Sequence, residues 1–441
     1  MKICCAKHQS KGGDFLKLVD ERTYTLNGIN VHTIPTNKFK TNTIVLKVKA
    51  PLSEEDVTVR AILPYVLQNA TESHPQPSQF RAYLDELYGA SLAVDLSKKG
   101  EDHIISIRLE IANEKFLKDS TPLLEKGIEL LSEVLLKPVT EGNGFKLATV
   151  EKEKRALKQR IQSVYDDKMR YASQRLIEEM CAEEPYRLSA NGEKDKVEAI
   201  TSESLYSYYQ NMLKTNDIHL YLVGDIKEEE VDEYVKKYFV LPDQENKVTS
   251  SIQQPNKDMK EPNEVIERQD IKQGKLNIGF RTNVTFKDDL YYALQVFNGI
   301  FGGFSHSKLF INVREKESLA YYAASRVESH KGLLLVMSGI DFSNYEKAVT
   351  IINQQIEAMK KGEYTDGEIS QTKAVIKNQI LETIDTARGL IEVLYNNEVS
   401  EVDKPIEAFL EGVENVTKEE IQEVAKMVEL DTTYFLTGKE A

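Results

Sequence analysis

Arg314 and Tyr321 are the pair of residues whose types and spacing most suggest chemistry. They lie in the stretch 298–322, NGIFGGFSHSKLFINVREKESLAYY. Gly299, Gly302 and Gly303 form a poorly helical link after an apolar run. Leu309, Phe310 and Val313 then recur at helical spacing, which predicts a short amphipathic helix closed by Arg314. Leu319-Ala320-Tyr321-Tyr322 opens a strand across the following turn, so Arg314 and Tyr321 can project to the same side of the domain. Strand alternation would then turn Tyr322 to the opposite face. A guanidinium fork and a phenol held together can donate hydrogen bonds to an oxygen that becomes negative during peptide hydrolysis. The bland alternative is a surface Arg314 paired with Glu317 and a strand tyrosine packed in a core.

The run GGFSHSKLFINVREKESLAYYAAS resembles the second-half signature of the insulinase-like (pitrilysin) zinc metallopeptidases. That signature is a Gly-rich loop, Ser, Leu-Phe, a short helix ending Arg-Glu-Lys, then Leu-Ala-Tyr. The resemblance implies that Arg314 and Tyr321 bind substrate near a zinc ion. It also implies an α+β fold of two homologous halves, each a largely antiparallel sheet with helices packed on one face, as in mitochondrial-processing-peptidase-like proteins.

The rest of the chain supplies the elements that would position this pair. Asn27-Gly28 is a hairpin signal between RTYTL and INVHTI, and 43–48 is β-branched and alternating. Helices are expected over 55–69, 79–87 and 123–136, with strands at 91–97 and 103–111 joined by Lys99-Gly100. Val150, Leu157, Ile161, Val164 and Tyr171 place an apolar stripe on one long helix over 147–182. IHLYLVG reads as a strand and 227–238 as a helix. Residues 241–262 are polar and contain proline, as an inter-domain linker would. Beyond them the grammar restarts: strands over 264–280, 320–328 and 332–338, helices over 287–297, 343–361, 367–386, 388–399 and 418–428, and the final strand TTYFLTG.

The restart is an internal repeat. Thr201-x-Glu203-x-Leu205 leads to Leu222-x-Gly224, and Thr417-x-Glu419 leads through Ile421 to Leu436-x-Gly438. Ser91-Leu92-Ala93 is echoed by Ser318-Leu319-Ala320. The expected organisation is an N-terminal extension (1–21), a first half (22–240), the linker (241–262) and a second half (263–441).

The first half lacks the catalytic stretch that the resemblance calls for. The family carries His-x-x-Glu-His on a helix, which places two His on zinc and a Glu beside the metal-bound water. Its run falls on RAILPYVLQNAT, with Ala61, Pro64 and Tyr65 at the His, Glu and His positions. The family's third ligand, a Glu on the long helix, falls on Arg160 in VEKEKRALKQR, with Glu153 at an upstream acidic position. Ala61 has no donor atom, Pro64 no carboxylate, and a cation at 160 opposes a metal ion. Among His8, His32, His74, His103, His219, His306 and His330 no two are four or five apart, so no local ligand pair exists. His32, His103 and His219 read as strand residues and the others as loop residues. His306, beside the glycines, is the one closest to the candidate site. A metal site assembled from distant residues stays open.

A net charge of -14 gives no basic excess to neutralise phosphate, which argues against a nucleic-acid partner. Cys4, Cys5 and Cys181 suggest neither a disulfide framework nor a Cys-based zinc site. No apolar run is long enough for a signal peptide or a membrane span, so a cytoplasmic address and no membrane partner are expected. No G-x-S-x-G, P-loop or G-x-G-x-x-G motif is present.

The expectation is a non-catalytic subunit that binds no zinc itself. It would supply Arg314 and Tyr321 to the zinc site of a homologous partner acting on a peptide substrate, as heterodimers of the family do. The alternative is a scaffold or peptide-binding protein of the same fold, like the core subunits of the respiratory cytochrome complex.

Overall fold

The computed structural model describes residues 17–118, 121–245, 247 and 261–439. The first half runs β1 (Arg22–Leu26), β2 (Ile29–Pro35), β3 (Thr41–Pro51), α1 (Val57–Leu67), α2 (Pro77–Glu86), β4 (Ser91–Lys99), β5 (Asp102–Ala112) and α3 (Leu123–Leu136). A short ribbon follows, β6 (Thr140–Glu141) and β7 (Gly144–Phe145), then α4 (Leu147–Asp166), α5 (Lys168–Met180), α6 (Ser202–Thr215), β8 (Asp217–Gly224) and α7 (Glu228–Tyr238). The second half runs β9 (Asn263–Gln269), β10 (Gly274–Arg281), α8 (Tyr291–Asn298), β11 (Ala320–Glu328), β12 (Leu333–Ile340) and α9 (Tyr345–Lys360). It ends with α10 (Asp366–Ile384), α11 (Ala387–Ser400), α12 (Ile406–Asn415), α13 (Lys418–Met427) and β13 (Glu429–Gly438).

Each half builds one antiparallel-rich sheet, of order β1-β2-β8-β3-β5-β4 in the first and β11-β12-β10-β13-β9 in the second. Read from β9, the second order matches the first from β2 strand for strand. Each sheet contains a parallel pair at the equivalent place, β2 with β8 and β9 with β13. The repeated residues have equivalent jobs. Thr201 and Thr417 cap α6 and α13 through capping boxes, and Leu222–Gly224 and Leu436–Gly438 close the strands that follow. At the first hairpin Asn27 (φ 51°) and Gly28 (φ 84°) both take the left-handed region that a tight two-residue turn requires.

One face of each sheet packs on its own half's helices. Ile44, Leu46, Ile107 and Leu109 meet α1 and α3 residues such as Leu63, Ile128 and Leu131. Leu276, Ile278, Leu334 and Val336 meet Leu294, Ile352 and Val424 of α8, α9 and α13. The opposite faces are covered by exchange. Ala172, Leu176 and Met180 of α5 pack on Leu333, Leu335, Tyr434 and Leu436 of the second sheet. Leu390, Ile391, Leu394 and Tyr395 of α11 pack on Ile34, Val45, Ile104, Tyr221 and Val223 of the first.

This exchange corrects the single helix expected over 147–182. The chain breaks at Asp167 (φ -81°, ψ 96°), whose carboxylate accepts from the backbone N–H groups of Met169 (3.1 Å) and Arg170 (3.2 Å) and so starts α5 afresh. Before the break Val150 and Leu157 face the first core; after it Ala172 and Leu176 face the second sheet. Helix α12 is an element that the apolar pattern did not reveal. Most of the linker expected at 241–262, and most of the extension expected at 1–21, fall outside the described residues. No helix among the described residues is long and apolar enough to cross a membrane.

Ion pairs reinforce the junction of the halves. Glu184, just past α5, accepts from Arg281 Nη2 at 2.6 Å, and Lys331 Nζ lies 2.6 Å away. Lys331 also pairs with Glu101 of the first half. Burial alone would raise the Glu184 carboxyl, but hydrogen bonds from Arg281 and Lys331 outweigh it and hold it below the ordinary carboxylate range. Its stabilisation is therefore present above the unfolded-chain value of about 4.3 and is lost as pH falls through the lowered folded value. Glu184→Gln should lower Tm at pH 7 and flatten the stability profile below about pH 4.3, read by thermal melts across that range. A second expectation follows from the exchange. A site-specific protease sequence inserted within 241–262 and cut should give two fragments that still co-elute under native conditions; fragments that separate without denaturant would contradict the interlocked packing.

Candidate functional site

Two regions carry the residues that the resemblance singles out, and they treat their polar groups in opposite ways. The first is organised by α1. Arg60, fully buried, donates from Nη2 to the carbonyls of Val48 (2.9 Å) and His103 (3.1 Å) and from Nη1 to Tyr208 Oη (3.0 Å) and Asn216 Oδ1, which pins the helix against β3, β5 and α6. Ala61 and Pro64 are buried within α1, and Pro64 removes a backbone donor from its middle. Tyr65 and Arg160 meet: the Arg160 guanidinium carbon lies 3.6 Å from the centroid of the Tyr65 ring, joining α1 to α4. Burial lowers the Arg160 pKa and raises that of the Tyr65 phenol. Arg160 Nε and Nη2 are buried without a hydrogen-bond partner among the described residues. Glu153 sits in the same interface, 3.5 Å from Asn69 Nδ2 and 3.1 Å from Lys152 Nζ. A side chain with no donor atom, a ring nitrogen already tied into the backbone, a phenol and a guanidinium stacked over it do not make a cation site. The residues present do not fit the family's zinc.

The second region keeps its polar groups exposed. The residues of 310–316 form a π-helix rather than the expected α-helical turn, and 299–303 forms another. The glycines allow close approach: a Cβ at Gly302 would meet Ser325 Oγ at 2.5 Å, and one at Gly299 would meet Thr372 Cγ2 at 2.4 Å. Arg314 is exposed, its guanidinium carbon 4.6 Å from the Phe310 ring centroid. Glu317 pairs with Lys347 (2.6 Å), and among the described residues Arg314 has no ion pair or hydrogen bond.

Tyr321 is 68% exposed and likewise makes no hydrogen bond among the described residues. Its direction is set by a β-bulge, not by strand alternation. Ala320 pairs with Ile340 and Tyr322 with Gly339, so Tyr321 is the extra residue and is pushed out. Ala320 and Ala323 both face the second core. Tyr322 lies over Gly339, where a Cβ would come within 2.5 Å of its ring, and lines a cleft of about 430 Å³ with Ala324, Arg326 and Met337. The turn is fixed by the Leu319 N–H donating to Val313 O at 3.0 Å and by Ser318 at φ 51°. No direct contact joins Arg314 to Tyr321 among the described residues. They stand on either side of this turn as two donors without acceptors among the described residues.

His306 is accounted for locally, with Nε2 3.0 Å from Thr372 Oγ1 and its ring stacked on Phe304. His32 and His219, read as separate strand residues, in fact meet across the parallel pair β2–β8. Only the strand order reveals this, because they are far apart in sequence.

A two-half α+β chain whose α1 positions 61, 64 and 65 offer no His or Glu has the architecture of a peptidase-like protein without catalytic metal ligands. The comparisons agree. The family described as Peptidase M16 inactive domain matches residues 199–376. The chain is 55% identical over 426 residues to the probable inactive metalloprotease YmfF of Bacillus subtilis (strain 168), covering 96% of this chain and 99% of that one. A conserved protein from Enterococcus faecalis V583 superposes with a TM-score of 0.88 at 35% identity, over 96% of this chain and 99% of the other. A peptidase M16 inactive domain from Pseudomonas fluorescens shares the fold at 16% identity and TM-score 0.79, over 95% and 98% of the two chains. The chain belongs to the M16 peptidases, the insulinase-like family, as a non-catalytic member.

The stacked pair of Tyr65 and Arg160 makes a prediction. Arg160 leaves two buried guanidinium nitrogens unsatisfied among the described residues, so Arg160→Met should be neutral or stabilising, whereas Tyr65→Ala should cost about 1–2 kcal/mol by uncovering the guanidinium. Chemical denaturation checks both; a strongly destabilised Arg160→Met would show that the guanidinium has an unrecognised partner.

Proposed function

We propose that this chain is the substrate-binding subunit of a heterodimeric M16 peptidase, with zinc on a homologous partner and Arg314 and Tyr321 completing the site. The observation that carries this reading is that Arg314 and Tyr321 are both exposed and, among the described residues, neither makes a hydrogen bond or ion pair. A phenol pushed into solvent by a bulge gives the fold little packing. It gives a bound peptide a hydrogen-bond donor for the carbonyl oxygen that becomes negative as the bond is broken, and Arg314 adds a charged one. The partner's zinc would supply the activated water. A cytoplasmic setting and a peptide substrate belong to the same reading.

The test mixes the purified chain with the zinc-bearing homologue of the same organism and follows cleavage of a fluorogenic peptide library. The chain should raise turnover. Arg314→Ala or Tyr321→Phe should remove most of the gain, about 10²–10³-fold for a lost oxyanion donor. Tyr322→Phe should leave turnover nearly unchanged, because that ring is committed to Gly339 and the cleft beneath it. Complex formation, read by size-exclusion chromatography, should survive all three changes. Full activity in the Arg314→Ala and Tyr321→Phe complexes would make the chain a scaffold instead.

A further inference from the structure

A second polar cluster lies beneath the exchanged helix α11. His32 Nε2 and His219 Nδ1 face each other at 3.0 Å. The outer nitrogen of each ring is held by a carboxylate: His32 Nδ1 is 2.9 Å from Glu21 Oε1, and His219 Nε2 is 2.9 Å from Asp217 Oδ2. An ionised carboxylate only accepts, so each imidazole carries its proton on the outer side. With both rings neutral, the two inner nitrogens then oppose lone pair to lone pair. Thr23 Oγ1, 3.2 Å from His32 Nδ1, could donate to that nitrogen instead, but the Glu21 oxygen would then face a lone pair. Glu398 of α11 adds a third acceptor, its Oε2 3.8 Å from His219 Nδ1. One ligand atom from each of His32, His219 and Glu398 falls within 4.8 Å of the others.

We propose that His32, His219 and Glu398 form a structural site for a divalent transition-metal ion of the zinc type, which fastens α11 of the second half to β2 and β8 of the first. A cation at the centre turns the lone-pair conflict into coordination. In a tetrahedral zinc site with bonds of about 2.0–2.1 Å, neighbouring ligand nitrogens lie about 3.3 Å apart, so the rings need move only slightly. Carboxylates on the outer nitrogens are the arrangement that orients metal-bound histidines. Two imidazoles and a carboxylate suit zinc, cobalt or nickel better than calcium or magnesium.

Charge agrees with this. Asp217 is already met by Lys247 (2.5 Å) and Lys49 (3.7 Å), while neither Glu21 nor Glu398 pairs with a Lys or Arg among the described residues. The site is enclosed. His32 is 0% and His219 1% exposed, Tyr221 stacks on His32 with ring centroids 4.0 Å apart, and Tyr395 meets His219 edge-on at 5.6 Å. No peptide can reach it, so the role is structural. The equivalent layer under α5 is closed by donors: Glu267 accepts from Tyr171 Oη (2.8 Å) and Tyr434 Oη (2.7 Å), with Arg175 Nε at 3.5 Å.

The experiment strips the full-length chain with a chelator, reloads it with zinc, dialyses it and measures metal by mass spectrometry. About one equivalent should be retained, and zinc should raise Tm. Glu398→Gln and His219→Gln should abolish retention and the Tm rise. Glu21→Gln, which removes only an orienting carboxylate, should weaken binding about 10–100-fold. Cobalt loading should give the visible bands of a tetrahedral nitrogen–oxygen site, a readout that needs no variant. The proposal is overturned if zinc, cobalt and nickel are all not retained, which would leave a proton shared between the rings. Retention unchanged in Glu398→Gln, or a cobalt–thiolate charge-transfer band pointing to Cys4 or Cys5, would overturn it equally.

Discussion

The structure depends on burying both faces of each sheet with helices that neither half could supply to itself. Seven successive residues of β8, Ile218 to Gly224, are buried, and they point alternately to the two sides. A sheet of that composition cannot leave a face in water, since each fully buried Val, Leu or Ile side chain is worth about 1.5–3 kcal/mol. Helices α5 and α11 meet the demand reciprocally. Each lies beyond a break, at Asp167 or at the Thr386 cap, that ends the preceding helix and redirects the chain to the other half. The halves therefore share their cores, and a relative rotation would expose Leu335 and Leu436 on one side or Val45 and Tyr221 on the other.

The repeat and most elements were legible because local signals agree with the final packing. Asn27-Gly28 fixed a hairpin, the apolar period gave α3 its bounds, and the Thr caps of α6 and α13 marked the two halves as copies. The break at Asp167 was hidden because Lys168 to Met180 continues the helical period; only the core that its apolar residues meet has changed. The bulge at Tyr321 was hidden for a related reason. Alternation assumes one partner per residue, and Tyr321 has none across the ladder. The contact between Arg160 and Tyr65 joins helices about 95 positions apart in sequence, so no local spacing contains it either. The meeting of His32 and His219 required the strand order, which no local spacing contains.

The two parts of the peptidase-like site differ in how they treat polar groups. At α1 Ala61 and Pro64 lie in the core and the Arg160 guanidinium lies over the Tyr65 phenol, an arrangement that leaves N–H groups buried and, among the described residues, unsatisfied. A hydrophobic side chain would pack there at lower cost, so stability alone does not account for Arg160. At the Gly-rich loop the reverse holds. Two close glycine contacts and two π-helical turns are spent on a segment that leaves Arg314 and Tyr321 exposed. π-Helical turns are uncommon and gather at functional sites because they shift side chains off the ordinary helical register.

The two exchanged helices also differ in what lies beneath them, and this decides where an ion could act. Under α5 the contact is mainly apolar, with one tyrosine-bonded carboxylate. Under α11 a polar layer interrupts the apolar one. Lys47, 1% exposed, reaches Glu392 at 2.6 Å and lies over the Tyr395 ring at 4.6 Å; burial pushes its pKa down despite that partner. His330 is held by Ser400 (2.9 Å) and Asn396 (3.1 Å) of the same helix. Such a layer specifies one seating of α11, because a shift of one turn would strand a buried ammonium and several ring nitrogens without partners. It contributes less net stability than apolar packing would. The convergent histidines lie in this polar layer, where a metal–ligand bond would add the strength that the exchanged contact otherwise lacks.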